Sequence, residues 1–364
     1  MADVYGERRE RLRARCSAAG VDAALVTAPS NVRWLTGVPS AEALLLTRDH
    51  ALLAVAHPLR DRDDALDELL VPPGQDPAAV LASTAQVEVL GVEEHDLTVA
   101  RHRAVAVAVA AARAELRDLH HGVEQLRVVK DEQELNCLRV AGEIADQALG
   151  ELLESILVGR SERHLAMELE RRMVDHGADG PAFPVRVGTG DHAGRLRHLP
   201  GDRRVEEGDF ITVSLGACYR GYRASAARTF VVGLAPQEWQ IELHALVFAA
   251  QRAAREGLVL GGSLDDCAQA ARRVLEASGH PDVQAEGVGH GVGLDVEEEP
   301  RLGSLDLWPG EFGKLENRVP VTVGLGVTLP GRGGVRIEDT LVVRPSEDGG
   351  AELLTITTKE LLAL

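Results

Sequence analysis

The chain has 364 residues, of which 45% are hydrophobic, and a formal net charge of −18. This length is enough for two domains, and this hydrophobic share excludes a disordered chain. The acidic balance disfavours binding to nucleic acid, which requires clustered lysine and arginine. No apolar run approaches the ~20 residues of a membrane-spanning helix, and the first residues show no signal-peptide pattern. We therefore expect a cytoplasmic protein.

The first third of the chain alternates between helical and strand patterns. A charged amphipathic helix is predicted over residues 7–19, and an Ala-rich helix over 98–119 ends before Gly122. Short apolar strands are predicted at 23–26, 43–46, 51–55 and 87–92. Alternation of this kind indicates an α/β domain, which we assign to residues 1–122. His120 and His121 are predicted to be exposed linker residues. A metal site formed by the pair is not expected, because adjacent histidines rarely bind one metal.

The second domain, residues 123–364, begins with a long helix whose apolar positions keep a helical period between Leu135 and Leu152. Ser161 is expected to cap a helix that ends near Gly177. Its predicted core positions are Leu165, Met167, Leu169 and Met173. Residues 208–232 alternate as a β-hairpin, two helices follow at 236–256 and 263–278, and the last third returns to strands.

Four segments of the second domain carry a resemblance to a known family. They read DFITVSLGA at 209–217, GYRASAART at 221–229, GHGVGL at 289–294 and GGVRIED at 333–339. NVRWLTG at 31–37 resembles a stretch of the same family's N-terminal domain. Together they are similar to the creatinase/prolidase/aminopeptidase P family, the M24 or pita-bread peptidases. The resemblance implies an α/β N-terminal domain and an α+β C-terminal domain, with a curved antiparallel sheet covered by helices in two pseudo-symmetric halves.

The resemblance also shows where this chain departs from the family. There, two aspartates, one histidine and two glutamates hold two divalent metals, and these positions correspond here to Ser214, Ser225, His290, Gly324 and Glu338. A neutral hydroxyl is a poor ligand for a hard cation, and glycine offers no side chain. A two-metal hydrolase also needs bridging carboxylates. We therefore expect neither a catalytic metal nor another cofactor.

Other pocket positions of the family are kept or replaced. His198 matches a histidine that binds substrate or moves protons, and that acts as the acid–base in creatinase; an exposed loop histidine is the alternative. Glu297 takes the place of a second family histidine, where a carboxylate would attract an amine, unless it belongs to a solvated acidic turn. Arg336 and Glu338 share one strand face, in a pocket or in a purely structural ion pair. Tyr222 is a further substrate-binding candidate.

These residues suggest a metal-independent enzyme that uses histidine and glutamate for general acid–base catalysis on a small amino-acid-derived amine. Either creatinase-like C–N hydrolysis or a biosynthetic amine–carbonyl condensation fits the inventory. His198 is predicted to transfer protons, while His290, Glu297 and Glu338 shape the pocket. The alternatives are an inactive pseudo-peptidase that serves as a binding protein, and a residual Xaa-Pro-type metallopeptidase.

The expected partner is a small molecule that bears an amine, with neither nucleic acid nor membrane involved. Ser214 and Ser225 are expected to contact it, since they line the former metal positions. The family resemblance also implies a homodimer in which the N-terminal domain of one subunit covers the pocket of the other. Arg33 and Trp34 are then candidate substrate-binding residues from that covering domain.

Overall fold

The computed structural model describes residues 4–59, 65–110, 113–155, 158–279, 284–286, 288–302 and 314–364. The chain divides into two compact units, residues 1–127 and 128–364. This division lies five residues after the boundary that the sequence suggests. Among the described helices, none is long and apolar enough to cross a membrane.

The N-terminal unit alternates helices with short strands. Its helices are α1 (Val4–Ala18), α2 (Pro29–Thr36), α3 (Pro77–Thr84), α4 (Val99–Ala110) and α5 (Gly122–Val128). Its strands are β1 (Ala23–Val26), β2 (Ala43–Thr47), β3 (Ala51–Val55), β4 (Asp67–Leu70), β5 (Val89–Val92) and β6 (Glu115–Asp118). The strands form one mixed sheet in the order β4-β3-β2-β1-β5-β6, in which β5 runs parallel to both β1 and β6.

The helix predicted over 98–119 is wrong at its C-terminal end. Helix α4 ends at Ala110, and residues 115–118 form the edge strand β6. The pairing of Leu116 and Arg117 with Leu90 and Gly91 supplies backbone hydrogen bonds that override the helical preference of the Ala-rich segment. Strand β6 was therefore not predicted from the sequence.

The C-terminal unit combines four long helices with one large sheet. Its helices are α6 (Glu132–Glu154), α7 (Glu162–Asp175), α8 (Glu238–Glu256) and α9 (Leu264–Ala277). Its strands are β7 (Gly180–Pro181), β8 (Arg186–Thr189), β9 (Phe210–Tyr219), β10 (Tyr222–Val231), β11 (Gln284–Glu286), β12 (Gly289–Gly291), β13 (Glu298–Arg301), β14 (Pro320–Leu329), β15 (Gly333–Val342) and β16 (Glu352–Leu353). Ser161 and Ser263 cap α7 and α9 with their side chains.

The sheet follows the order β13-β12-β14-β15-β10-β9-β7 and is built on two long antiparallel hairpins. In one hairpin β9 pairs with β10, and in the other β14 pairs with β15. The central contact joins the two hairpins where Ala227 of β10 lies opposite Glu338 of β15. The sheet thus has two similar halves that meet at Glu338.

Helices cover one face of each hairpin. Helices α6 and α7 bury apolar side chains against β9 and β10, and α8 and α9 do the same against β14. Because strand side chains alternate between faces, the intervening residues point to the opposite face. Those residues are mostly small or polar: Thr212, Ser214, Ser225, Thr229, Thr322, Gly324, Gly326, Arg336, Glu338 and Thr340.

The predicted core of α7 is confirmed at Leu165, Leu169 and Met173, which are fully buried. The prediction is wrong for Met167, whose side chain is 64% exposed. Met167 lies two residues from Leu165 and Leu169, about 200° around the helix, so it points away from the sheet. Of the two methionines of α7, only Met173 therefore belongs to the core.

Candidate functional site

The positions that correspond to the family's ligands form a row across the open face of the sheet. Ser214 on β9 lies opposite Ala227 on β10, Ala227 opposite Glu338 on β15, and Glu338 opposite Gly324 on β14. Directly opposite residues of antiparallel strands present their side chains on the same face. Ser225 lies two residues from Ala227 and therefore shares this face. The spacing predicted from the sequence thus gives one continuous site.

Glu338 is the centre of this row, and both of its carboxylate oxygens accept hydrogen bonds. Arg336 donates to Oε2 at 2.7 Å, and the Ser225 hydroxyl donates to Oε1 at 3.0 Å. Burial alone would raise the pKa of Glu338, but the charges of Arg336 and then His290, with these two hydrogen bonds, lower it. Glu338 is therefore an anion held by internal donors, and the ion pair with Arg336 that the sequence suggested is present.

Gly324 leaves no room for a carboxylate of its own. A Cβ atom placed at Gly324 would lie 2.5 Å from Oε2 of Glu338 and 2.7 Å from its Cγ. The Glu338 side chain therefore fills the space in which a glutamate at position 324 would begin. A side chain at position 324 therefore fits only if Glu338 moves.

The underside of the row is fixed by a fully buried ion pair. Arg228 donates to Oδ1 of Asp339 at 2.8 Å and to the backbone oxygen of Glu338 at 2.5 Å, and both Arg228 and Asp339 side chains are inaccessible to solvent. Gln251 of α8 donates to the other Asp339 oxygen at 2.9 Å. Arg228 thus supports the strand that carries Glu338.

His290 stands at the edge of the row on the short strand β12. It pairs with Thr322, two residues before Gly324 on β14. Its Nδ1 lies 2.9 Å from the backbone oxygen of Gly291. Since a carbonyl oxygen only accepts, Nδ1 carries the proton in this contact, and Nε2 of the neutral ring remains an acceptor. His290 is half-buried and can exchange a proton or bind a ligand through Nε2.

His198 is held by a carboxylate that the sequence did not reveal. Its Nε2 lies 2.8 Å from Oε2 of Glu162, and His192 Nδ1 lies 2.9 Å from Oε1 of the same residue. Thr189 and Gly201 also donate backbone N–H groups to Glu162. Burial would raise the pKa of Glu162, but these hydrogen bonds lower it. Glu162 is therefore a buried anion that orients two imidazole rings.

His198 also lines an open cleft of about 680 Å³. Arg195 and Arg197 come from the same loop, and residues 328–330 at the end of β14 form the other wall. Both arginines are exposed, so the cleft offers cationic groups to a solvent-borne ligand. His198 is thus a cleft residue with a fixed ring and not a freely moving loop histidine.

Glu297 does not supply a buried carboxylate, as its side chain is exposed and only its backbone oxygen is engaged, by Arg301. The buried carboxylate of this turn belongs to the next residue, Glu298. Its Oε2 accepts from Lys130 at 2.6 Å, with both side chains almost fully buried. The prediction that Glu297 shapes the pocket has no support in this geometry.

Two further predicted pocket residues have structural roles instead. The Tyr222 hydroxyl donates to Glu134 of α6 at 3.0 Å and is buried there. Trp34 is 1% exposed, packs under the Arg8 guanidinium and accepts a hydrogen bond from it through its backbone oxygen. Trp34 therefore cannot serve as an exposed covering residue, whereas its neighbour Arg33 remains half-buried.

The residues that sequence reasoning missed are Glu162 and His192. Glu162 reads as an ordinary first-turn residue of a capped helix, and it lies 36 residues from His198. His192 lies in a short 3-10 turn with no motif of its own. Neither residue carries a signal in the sequence. A carboxylate directly after a serine cap is common because it stabilises the start of a helix, and the unusual burial of Glu162 is seen only in the structure.

Comparisons with known proteins agree with this geometry. A model of the family described as "Metallopeptidase family M24" matches residues 136–345, and one described as "Creatinase/Prolidase N-terminal domain" matches residues 8–129. The chain is 34% identical over 248 residues to an Xaa-Pro dipeptidase of Pyrococcus furiosus, covering 68% of this chain and 69% of that protein. It is 30% identical over 366 residues to the uncharacterized peptidase YqhT of Bacillus subtilis, covering 98% and 99%.

Solved structures show the same two-domain architecture. The Xaa-Pro dipeptidase from Bacillus anthracis superposes with a TM-score of 0.86 at 28% identity, over 99% of this chain and 100% of that one. The prolidase from Pyrococcus horikoshii gives 0.84 at 27% identity, over 98% and 99%. These structures confirm the predicted pita-bread plan.

The same comparisons overturn the main functional prediction. A metal-independent, creatinase-like or biosynthetic enzyme acting on a small amine is wrong, because the relatives are Xaa-Pro dipeptidases of a metallopeptidase family. They favour the Xaa-Pro-type peptidase that the sequence analysis placed last. With one family model matching more than half of the chain and a second matching its N-terminal unit, this protein belongs to metallopeptidase family M24.

Proposed function

We propose that the C-terminal unit takes Xaa-Pro-type peptides, and that peptidase activity on them is its function. The observation that carries this proposal is the 34% identity over 248 residues with an Xaa-Pro dipeptidase. That alignment covers more than two thirds of both chains. The substrate class therefore comes from the relatives, and the local geometry supplies the means of recognising it.

The open face and the adjoining cleft suit a short zwitterionic peptide. Arg195 and Arg197 are exposed beside His198 and can attract the terminal carboxylate. His198, oriented by Glu162 through Nε2, can accept a hydrogen bond from a peptide N–H through its second ring nitrogen. His290 offers Nε2 at the edge of the Glu338 row. Together these groups can bind and orient a peptide.

The family description implies metal ions, and the present residues do not fit a two-ion centre. Of the five ligand positions, only His290 and Glu338 carry side chains that bind hard cations well. Glu338 already accepts from Arg336 and Ser225, and it fills the space at Gly324. No hydrolytic step is therefore derived through a metal at this site.

That disagreement favours a second candidate, peptide binding without hydrolysis. It corresponds to a protein that keeps the family's pocket and uses it for recognition. The specific observation is the Glu338 carboxylate, both oxygens of which already accept hydrogen bonds, since a carboxylate that donors already satisfy is poorly suited to bridge two ions.

One experiment separates the two candidates. Chelator-treated protein is incubated with Ala-Pro and Leu-Pro, with and without added Mn²⁺; proline release is followed by chromatography and peptide binding by calorimetry. Proline release supports the peptidase. Binding without release supports the second candidate. If the protein neither binds nor cleaves these dipeptides, the substrate class is wrong.

Variants locate the site in the same experiment. We expect His198→Ala to weaken peptide binding about tenfold, or ~1.4 kcal/mol. His164→Ala is the matched control, because His164 is an exposed histidine on α7. Equal effects of both variants would contradict the assignment. The homodimer and the cytoplasmic location stay predictions.

A further inference from the structure

A second cluster of imidazole and carboxylate groups lies in the N-terminal unit, far along the chain from the Glu338 row. Strands β5 and β6 are parallel, and Val92 at the end of β5 pairs with Asp118 at the end of β6. Their carboxyl ends therefore lie at one edge of the sheet. His95 follows β5 by three residues, and His121 follows β6 by three residues. The topology thus brings together two histidines that are 26 residues apart.

The geometry of this cluster is that of potential metal ligands. The His95 and His121 rings are stacked, with centroids 3.9 Å apart and planes inclined by 25°. Glu124 on α5 places Oε1 2.9 Å from His95 Nε2. One ligand atom from each of the three residues lies within 4.8 Å of the others. We call these three residues the His95 cluster.

Glu124 carries the observation that distinguishes the cluster from an ordinary ion pair. Its Oε1 contacts His95 and Asn31, whereas its Oε2 is buried and has no hydrogen-bond partner. A carboxylate oxygen is thus removed from water without a donor, which is an unfavourable arrangement for a buried polar atom. A cation bound beside it would remove that cost.

The backbone around His121 separates the two adjacent histidines. His120 and His121 both adopt left-handed φ angles, 48° and 55°. Such angles are uncommon for residues other than glycine and persist only where the surroundings enforce them. His120 turns to Asp118, at 3.0 Å, while His121 covers His95. His120 is exposed as predicted, but the same prediction is wrong for His121, which is half-buried.

We propose that His95, His121 and Glu124 bind one divalent transition-metal ion of the zinc class. Two imidazole nitrogens and one carboxylate oxygen are a donor set that Zn²⁺ and Co²⁺ accept, with water at a fourth position. Mg²⁺ and Ca²⁺ prefer oxygen ligands alone. The ion takes the place of the hydrogen bond between His95 and Glu124, so these two ligand atoms, now 2.9 Å apart, must separate slightly to admit it.

The test uses the full chain freed of metal with a chelator. ZnCl₂ is titrated by calorimetry, and CoCl₂ by visible absorption, which reports the coordination geometry. We expect one ion per chain with micromolar or tighter affinity. His95→Ala and Glu124→Gln should each weaken Zn²⁺ binding at least tenfold, because changes even in groups around metal ligands cost about 10–100-fold. Far-UV circular dichroism verifies that the variants are folded.

Two controls make the result specific. His121→Asn should weaken binding as well, whereas His120→Asn should not, although both positions have the same backbone conformation. Asparagine tolerates that conformation. His290→Ala should leave this ion in place. The proposal is overturned if Zn²⁺ binds only at millimolar concentration, if the His95 cluster variants bind normally, or if His290→Ala alone removes the ion.

Discussion

Glu338 in the C-terminal unit and Glu124 in the N-terminal unit are both half-buried carboxylates with a lowered pKa, but their oxygens differ. Both oxygens of Glu338 accept hydrogen bonds from neighbouring side chains. One oxygen of Glu124 has no donor. Glu338 occupies a position where relatives bind metal, yet its bonding is complete. The comparison shows that a carboxylate oxygen without a hydrogen-bond donor is a better indication of a metal ligand than a position shared with a metal-binding family.

The largest expected effect tests whether Arg336 is the group that stabilises the Glu338 carboxylate. Arg336→Met should destabilise the protein by about 3–5 kcal/mol, because it leaves a buried carboxylate without its main cation. Arg336→Met combined with Glu338→Leu should cost clearly less than the sum of the single changes. Urea unfolding measures both quantities.

Arg252→Met is the control for this series. Arg252 forms an exposed pair with Glu256 at 3.7 Å, and its loss should cost less than about 0.5 kcal/mol. If Arg336→Met lowers the free energy of unfolding as little as Arg252→Met does, then water, and not Arg336, satisfies the Glu338 carboxylate.

The second prediction concerns Glu93, the buried neighbour of Glu124. Burial and then the charge of Glu124 raise its pKa to about 7, against 4.5 for the ordinary side chain. The folded state therefore binds more protons than the unfolded state between these values. Stability contributed by Glu93 is present at about pH 4.5 and falls by about 3 kcal/mol as pH rises to about 7.

Glutamine does not titrate, so the Glu93→Gln variant should not lose this stability. The free energy of unfolding of the variant, compared with that of the parent protein, should therefore rise as pH increases from about 4.5 to 7. Urea unfolding at several pH values measures the difference. Glu94→Gln, at the exposed adjacent position, is the matched control. A difference that stays constant across this range would show that Glu93 titrates normally.

The smallest effect probes the space beside Gly324. Gly324→Ala should destabilise by about 1–3 kcal/mol, because the added methyl meets Glu338 Oε2 at 2.5 Å. The cost should shrink in a Glu338→Ala background, which removes the two nearest of the clashing atoms, Oε2 and Cγ. Gly150→Ala is the control: its Cβ meets nothing within 4 Å on α6, so a gain of about 0.5–1 kcal/mol is expected. Equal costs of Gly324→Ala in both backgrounds would contradict the steric account.

Sequence reasoning recovered what depends on local pattern. The alternation of residues 208–232 predicted the hairpin of β9 and β10, and Ser161 was correctly expected to cap a helix. It failed where a distant partner decides the outcome. Strand β6 depends on pairing with β5, and the burial of Trp34 depends on Arg8, 26 residues earlier.

The candidate site was recovered to a similar degree. The positions Ser214, Glu338 and Gly324 came from the family resemblance, and the sheet register brings them into one row. The partners that set its chemistry, such as Glu162 beside His198, come from other elements and leave no spacing signal. Glu298, and not Glu297, is buried because it pairs with Lys130, which lies 168 residues earlier in the chain.

The filled space at Gly324 also bears on how such a chain can change over time. A codon change that restored glutamate there would first place its side chain against Glu338 and incur a steric penalty. Restoring aspartate at position 214 or 225 alone would add negative charge beside an anion already paired with Arg336. Each of these single changes is therefore expected to destabilise the protein, because Glu338 and Arg336 leave neither space nor positive charge for a further carboxylate.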